Sequence, residues 1–235
     1  MIHHRAETGS TNDDARALAS AGAAEGSWVR ADVQTGGRGR LGRIWVSPPG
    51  NLHASTFVRR RAGDPPPATL AFVTAVALEE LLTAYAGAGQ VRIKWPNDLM
   101  LDAGNGWAKA AGILLEADAS AVVVGIGVNL AHRPPALDRP TAALADIAAA
   151  PAPATFVEEL AASFARWLTR WRGEGFDPVR ARWLERAHPV GTALRVQAAD
   201  GMREGLFDGL AVDGALRLRT AEGVIMVQAG DVFLL

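Results

Sequence analysis

Apolar and polar residues alternate along this chain with two periods, one typical of helices and the other typical of strands. Residues 10–24 are rich in alanine after a polar start, and residues 66–85 form a long apolar stretch opened by prolines, so both are predicted helices. Shorter runs rich in β-branched residues predict strands. The remaining predicted elements are strands at 27–33, 51–58, 91–94, 107–116 and 121–130 and helices at 154–172 and 177–187.

The pattern changes beyond Pro189, where short alternating segments, predicted as strands at 193–197, 205–212, 215–219 and 224–228, are separated by turn residues. Among these turns, Asp213-Gly214 is typical of a two-residue hairpin. We therefore predict two domains: residues 1–188 with mixed helix and sheet, and residues 189–235 as a small module resembling a β-barrel.

Composition narrows the possible functions. With 235 residues, 49% of them hydrophobic and 21% charged, the chain is long enough to bury a sizeable core. The formal net charge of −1 argues against bulk binding of nucleic acid. The absence of cysteine excludes a disulfide framework, a thiolate nucleophile and a cysteine-ligated zinc. The N-terminus lacks an apolar signal region and no uninterrupted apolar run reaches membrane-spanning length, so we expect a cytoplasmic protein without a membrane partner.

One segment is unusually rich in glycine and arginine. Residues 34–45, QTGGRGRLGRIW, which we call the Gly/Arg loop, hold three arginines and four glycines and no carboxylate. Glycine lets backbone N–H groups approach a ligand, and arginine offers a planar fork of donors to carboxylate or phosphate. The segment therefore predicts a loop that closes over an anion. The alternative is a flexible, solvated surface loop, which many runs of this composition form.

Lysine use is equally selective. The only lysines among the 24 basic residues are Lys94 and Lys109. Arginine therefore serves wherever charge is needed only for solubility, and each lysine lies at the start of a distinct motif, at 94–98 and at 109–116. For Lys94 the alternative is a side chain that snorkels from the end of a strand.

Four motifs follow one another along the chain: GRGRLGRIW at 37–45, KWPND at 94–98, KAAGILLE at 109–116 and GIGVN at 125–129. In order and spacing they resemble the signature set of biotin protein ligases, and the similarity extends from Thr8 to the C-terminus. The fold that this resemblance implies is α+β, with a central mixed β-sheet flanked by helices and a small C-terminal SH3-like β-barrel.

The resemblance also implies a two-step reaction. Biotin and ATP, with Mg²⁺, give biotinyl-5'-AMP and pyrophosphate, and the adenylate then acylates one lysine of a biotin carboxyl carrier protein or domain. Activation is needed because a free carboxylate is a poor electrophile, and an acceptor lysine with a pKa near ~10.4 is protonated at neutral pH. The expected partners are biotin, ATP and the carrier, and a homodimer is possible.

Residue roles follow from the same resemblance. We predict as catalytic residues Lys109, which contacts the biotin carboxylate and the α-phosphate, Arg40, which retains the adenylate, and Asp98, which binds Mg²⁺ through its hard oxygen atoms. The predicted biotin- and adenylate-binding residues are Ser10, Thr11, Asn12, Gln34, Gly37, Arg38, Gly39, Arg40, Trp45, Lys94, Asn97, Lys109, Gly112, Gly127 and Asn129.

Several of these residues have a structural alternative. Residues 10–12 either bind the ureido ring of biotin or cap a helix, with Ser10 and Asp13 spaced as in a capping box, and both roles are compatible. Asp98 either binds a metal or caps a turn. Arg43 and Trp45 are either ligand contacts or, respectively, a solvated charge and a core anchor. The five histidines lack metal-ligand spacing, and we assign none of them as a general base.

Two other functions remain open. A lipoate or octanoate ligase or transferase would share the fold and the acyl-lysine chemistry, although its own glycine-rich signature is not found. A non-enzymatic sensor of biotin or nucleotide would be expected to lose Lys109 or Asp98, and both are present. Repressor activity is not expected, because no DNA-binding module and no basic excess is found.

Overall fold

The computed structural model describes residues 1–104, 106–134, 140–198 and 201–235. The larger of its two sheets has seven strands: β1 (Ile2–Thr8), β2 (Trp28–Gln34), β3 (Leu52–Arg59), β4 (Val91–Lys94), β5 (Asp98–Asp102), β6 (Trp107–Ala117) and β7 (Ala121–Val128). They lie in the order β1-β2-β3-β7-β6-β5-β4. Because β1 and β2 are parallel and the other neighbours antiparallel, the sheet is mixed, as predicted.

Helices cover both faces of this sheet. They are α1 (Thr11–Ser20), α2 (Leu70–Ala86), α3 (Pro153–Glu174) and α4 (Asp177–Arg186). On one face α1 packs with Phe57 and Val123, and on the other face α2, α3 and α4 form the main core with Val122 and Val124. Successive side chains of a strand point to opposite faces, so β7 is buried on both sides and is apolar throughout for that reason.

The helix α2 is long and largely apolar, although Glu79 and Glu80 interrupt its apolar run. Together with the short 3₁₀ turn before it, it forms a helical segment, Pro67–Ala86, that is long and apolar enough to cross a membrane, with a mean hydropathy of 1.4. Most of its apolar window is buried inside the fold. Its composition is therefore that of a core helix, which packs against α3 and, through its own Phe72, against Trp183 of α4.

The C-terminal region forms a second, antiparallel sheet, as predicted. Its strands are β8 (Ala193–Ala198), β9 (Gly201–Leu210), β10 (Leu216–Thr220), β11 (Gly223–Val227) and β12 (Asp231–Leu234), in the order β11-β10-β9-β8-β12. Asp213 and Gly214 do lie in the hairpin between β9 and β10. However, five residues connect these strands rather than two, and Ala211 N–H donates to Ala215 O at the base of the loop.

The second sheet is held against the first at the turn between β4 and β5. Trp95 Nε1 donates to Gly214 O (3.1 Å), and Lys94 Nζ donates to Val232 O (3.0 Å). Gly214 has a φ of +89°, and a Cβ there would lie 2.8 Å from the ring of Phe72. These contacts place β12 beside the ends of the central strands.

Candidate functional site

A cavity lies between the Gly/Arg loop, the N-terminus of α1, the ends of the central strands and β12. Every site residue predicted from the sequence lines it, except Gly37. Those lining residues are Ser10, Thr11, Asn12, Gln34, Arg38, Gly39, Arg40, Trp45, Lys94, Asn97, Asp98, Lys109, Gly112, Gly127 and Asn129. The structure thus brings together residues that are far apart in the sequence.

The Gly/Arg loop folds back on itself as a narrow hairpin. Arg38 and Ile44 pair as an isolated antiparallel β-bridge. Beside them, Gly39 N–H donates to Arg43 O (2.7 Å) and Trp45 N–H donates to Gly37 O (3.0 Å). A Cβ on Gly37 would lie 2.5 Å from Trp45 O. Gly37, predicted as a binding residue, therefore allows the close packing of the loop base and does not line the cavity.

Trp45 lies across two glycines of the sheet. A Cβ on Gly127 would lie 2.3 Å from Trp45 Cε2, and a Cβ on Gly112 would lie 3.2 Å from Trp45 Cζ3. Lys109 Nζ stands 5.7 Å from the centre of the indole. Glycine at these two positions lets the indole approach the backbone, so Trp45 forms an apolar wall of the cavity.

At one end of the cavity, neutral side chains form a continuous hydrogen-bonded chain. Gln34 Oε1 accepts from Thr11 N–H (2.8 Å) and lies 3.1 Å from Thr11 Oγ1. Ser55 Oγ donates to Asn12 Oδ1 (2.7 Å) and lies 2.7 Å from Thr11 Oγ1, whose single proton goes either to Ser55 Oγ or to Gln34 Oε1. Ser55 was missed by the sequence analysis, since it lies in an ordinary strand with no motif around it.

The capping box predicted at the start of α1 does not form. Ser10 takes the N-cap position, but its side chain makes no capping hydrogen bond. Asn12 instead directs its side chain over Gly125, where a Cβ would lie 2.2 Å from Asn12 Oδ1. Asn12 Nδ2 donates to Glu116 Oε2 (2.9 Å). The Ser10 side chain therefore does not cap α1, and the role of residues 10–12 in binding biotin stays a prediction.

At the other end of the cavity, Asp98 lies between the two lysines. Lys109 Nζ is 2.5 Å from Asp98 Oδ1, and Lys94 Nζ is 3.5 Å from Asp98 Oδ2. All three side chains are largely buried. The buried carboxylate of Asp98 pairs with both ammonium groups and so holds the two lysine side chains in position.

This arrangement does not fit a metal ion held by Asp98. The carboxylates that line the cavity are Asp98 and Asp231, and each faces cationic side chains. Within the described residues, no group of three His, Asp or Glu side chains could hold a metal ion. We therefore derive no reaction step through a metal bound to Asp98.

Arg40 joins the two sheets across the cavity. Its Nη1 donates to Asn97 Oδ1 (3.3 Å) and to Gly230 O (3.2 Å), and lies 3.9 Å from Asp231 Oδ1. Burial lowers the pKa of Arg40 below its ordinary value. Arg43 contacts Asp231 directly, so it is more than a solvated charge. Gly230 and Asp231 were missed by the sequence analysis, which ended its last strand before them.

Two asparagine amides complete the site. Asn97 Nδ2 donates to Ile113 O (2.7 Å), and Asn129 Nδ2 donates to Ala142 O (3.0 Å). Both side chains are therefore fixed by the backbone around them. Of the histidines, His53 and His188 are buried with pKa values lowered by burial, and neither lines the cavity.

Comparisons with known proteins point to one family. The family model described as the biotin/lipoate A/B protein ligase family matches residues 7–130. A biotin–[acetyl-CoA-carboxylase] ligase of Paracoccus denitrificans is 40% identical, with 97% of this chain and 98% of the relative covered. The bifunctional ligase/repressor BirA of Bacillus subtilis is 32% identical, with 100% of this chain and 74% of the relative covered.

A solved structure shares the fold. The biotin protein ligase from Aquifex aeolicus, in complex with biotin and ATP, is 23% identical with a TM-score of 0.86, over 100% of this chain and 98% of that one. This likeness confirms the fold predicted from the sequence, a mixed sheet with flanking helices and a small C-terminal β domain.

Proposed function

This chain belongs to the biotin/lipoate A/B protein ligase family, and we propose that it is an ATP-dependent biotin protein ligase. It activates biotin as biotinyl-5'-AMP, releases pyrophosphate, and transfers biotin to a lysine of a carboxylase carrier domain. The observation that carries this proposal is a cavity with two unlike ends. One end is a neutral hydrogen-bonding pocket, and the other gathers Lys94, Lys109 and Arg40.

The cationic end suits the chemistry of adenylation. The biotin carboxylate must approach the α-phosphate of ATP, and two anions repel unless fixed positive charges lie between them. Lys109 and Arg40 provide those charges, and Asp98 holds Lys109 in place. Because these groups are set before the substrates arrive, they stabilise the charge that shifts toward the phosphate as the anhydride forms.

The neutral end suits a polar ring. Thr11, Asn12 and Gln34 present hydroxyl and amide groups that are already oriented by Ser55 and by each other. A ureido group carries two N–H donors and one carbonyl acceptor, and burying it without partners would cost about 1–3 kcal/mol for each unpaired group. The wall formed by Trp45 would pack against the apolar part of biotin.

The remaining predictions stand as proposals. Mg²⁺ is proposed as an ion that arrives with the triphosphate, since Asp98 is occupied by the lysines. Residues 1–188 and 189–235 are proposed as the catalytic and C-terminal domains. The edge strand β1, which has several exposed residues, is available for the carrier or for a second copy of the chain. A cytoplasmic location remains the expectation.

The main competing substrate is a simple acyl chain, as in lipoate or octanoate transfer. Such a chain would leave the polar groups of Thr11, Asn12 and Gln34 without ligand partners, so the neutral end favours biotin. The test supplies biotin, lipoate and octanoate in parallel with ATP and measures pyrophosphate release, followed by label transfer to a carrier domain. Release with biotin is expected. Release with lipoate or octanoate alone would overturn the proposal, and binding without release would indicate a sensor.

A further inference from the structure

Two carboxylates and two arginines form a belt beside the cavity. Arg38 donates from Nη1 to Asp13 Oδ2 (2.9 Å) and from Nη2 to Asp13 Oδ1 (2.7 Å), which is a two-point contact. Arg16 donates to Asp13 Oδ1 (3.0 Å) and to Glu116 Oε2 (2.8 Å). Arg38 Nη2 lies 3.6 Å from Glu116 Oε1. Each arginine of the belt therefore contacts both carboxylates.

The belt joins three separate segments of the chain. Arg38 belongs to the Gly/Arg loop, Asp13 and Arg16 to the first turns of α1, and Glu116 to β6. Glu116 also accepts a hydrogen bond from Asn12 Nδ2, the amide that lies over Gly125. The position of the loop is thus connected to the orientation of a side chain at the neutral end of the cavity.

The geometry gives Arg38 a partner other than substrate. The two parallel N–H···O bonds to Asp13 use the planar fork of the guanidinium as a bound phosphate or carboxylate would. This hydrogen bond raises the pKa of Arg38 and lowers the pKa of Asp13, so both groups stay charged. A guanidinium already paired in this way offers less to an anion in the cavity than its sequence motif suggests.

On this basis, and resting on the proposed ligase function, we propose that Asp13 is a positioning residue. It holds Arg38, and through it the Gly/Arg loop, over the cavity, so that bound biotinyl-AMP is retained. Arg38 acts mainly through Asp13 and not as a direct ligand of the adenylate. Arg38 is thus held by a carboxylate of the protein itself. The group formed by Lys94, Asp98 and Lys109 is instead the one that lies beside the reacting atoms in the proposed reaction.

The first test needs no substrate. Trypsin cleaves after arginine, so the rate of cleavage after Arg40 and Arg43 reports how often the loop opens. In the full-length protein without ligand, Asp13→Asn should raise that rate about 5-fold, and Asp13→Glu, which keeps the charge, should change it less. The matched control is Asp177→Asn, because Asp177 also lies in the first turn of a helix and pairs with an arginine three residues later. The control should leave the cleavage rate of the loop unchanged.

The second test measures retention of the intermediate. Preformed radiolabelled biotinyl-AMP is chased with an excess of unlabelled compound. Asp13→Asn and Arg38→Ala should each speed its release about 5-fold, equal to about 1 kcal/mol, the upper range for an exposed ion pair. The double variant should release it no faster than either single variant, because the two residues act as one unit.

Two outcomes would overturn the proposal. One is unchanged loop cleavage in Asp13→Asn at an unchanged melting temperature. The other is normal release from Asp13→Asn together with fast release from Arg38→Ala, which would show that Arg38 contacts the adenylate itself. Biotin-dependent exchange of pyrophosphate into ATP by the wild type tests the ligase function separately, and its absence would leave the result of the cleavage test unaffected.

Discussion

A single methyl group at Gly127 tests whether Trp45 closes the cavity as the structure indicates. The Cβ of Gly127→Ala would lie 2.3 Å from Trp45 Cε2 and 2.5 Å from Cζ2 and Nε1. Carbon atoms in favourable contact are about 3.5–4.0 Å apart, so the indole would have to retreat by roughly 1 Å. An indole is rigid and cannot bend away. Because Trp45 N–H is bonded to Gly37 O, the base of the Gly/Arg loop would move with it.

The expected effect can be derived from the cost of overpacking. Inserting a methyl group into a tightly packed site typically costs about 1–3 kcal/mol. The clash arises only where the loop is closed over the sheet, so this cost falls on the closed arrangement. If closure retains the intermediate, the affinity for biotinyl-AMP should fall by about 5- to 150-fold. The fold should persist, since the loop can open to relieve the clash.

The assay is the dissociation constant of biotinyl-AMP, measured by calorimetry on both proteins. Gly173→Ala is the control, because a Cβ at Gly173 has no heavy atom within 4 Å, and it should bind normally. Trp45→Leu removes the indole and should bind weakly, but adding Gly127→Ala to it should weaken binding little further. Binding by Gly127→Ala within about twofold of wild type would refute the reasoning. Equal effects of the methyl group with and without the indole would refute it as well.

Three further predictions follow from the site and from the core. Arg40→Gly should release biotinyl-AMP to solvent and label lysines of bystander proteins, and unchanged dissociation in stopped-flow would contradict this. Lys109→Ala should reduce the rate of adenylation by about 10²–10³-fold while changing biotin affinity much less, and equal losses in both would argue against its role in the transition state. Burial, with Arg92 and Lys94 nearby, lowers the pKa of His188 to about 4 in the folded protein. In the unfolded chain the pKa of this histidine is near ~6.5, so the unfolded chain binds a proton at a higher pH than the folded protein does. Stability should therefore fall by roughly 3 kcal/mol as the pH drops from about 6.5 to 4. Between pH 7 and pH 4.5, urea unfolding should show a smaller loss of unfolding free energy in His188→Gln than in the wild type. An equal loss in both proteins would contradict the lowered pKa of His188.

The sequence predicted most of the buried elements, although it missed the buried strand β5, and it predicted the peripheral elements poorly. The strand β7 was clear because both its faces are buried and it is apolar throughout. The strand β1 was missed because it is a sheet edge with five of its seven residues polar, and β12 because it is short and terminal. The helix α1 ends at Ser20 and not at residue 24, since Gly22 takes a φ of +83° that stops the helix.

The site shows a similar division. Residues with a charged or glycine-rich motif were found, because motifs keep chemistry within a few positions of the chain. Their partners were not found: Ser55 and Asp231 each lie in a strand whose local sequence carries no signal, and Glu116, although it ends the motif at 109–116, was given no role. Such residues are defined by what the fold places beside them. Asp13 was seen only as a helix-start residue, although its contact with Arg38 spans 25 positions of the sequence.

The structure also gives a physical reason to distinguish Arg40 from the other arginines of the Gly/Arg loop. Arg38 is paired with Asp13, and Arg43 contacts Asp231. Arg40 donates instead to two neutral oxygens, Asn97 Oδ1 and Gly230 O, and the carboxylate of Asp231 is 3.9 Å away. Neutral acceptors fix the guanidinium without cancelling its charge, and burial strengthens the interaction of that charge with an anion. Of the three loop arginines, we therefore expect Arg40 to act most strongly on the contents of the cavity, and we expect the other two to hold the loop that carries it.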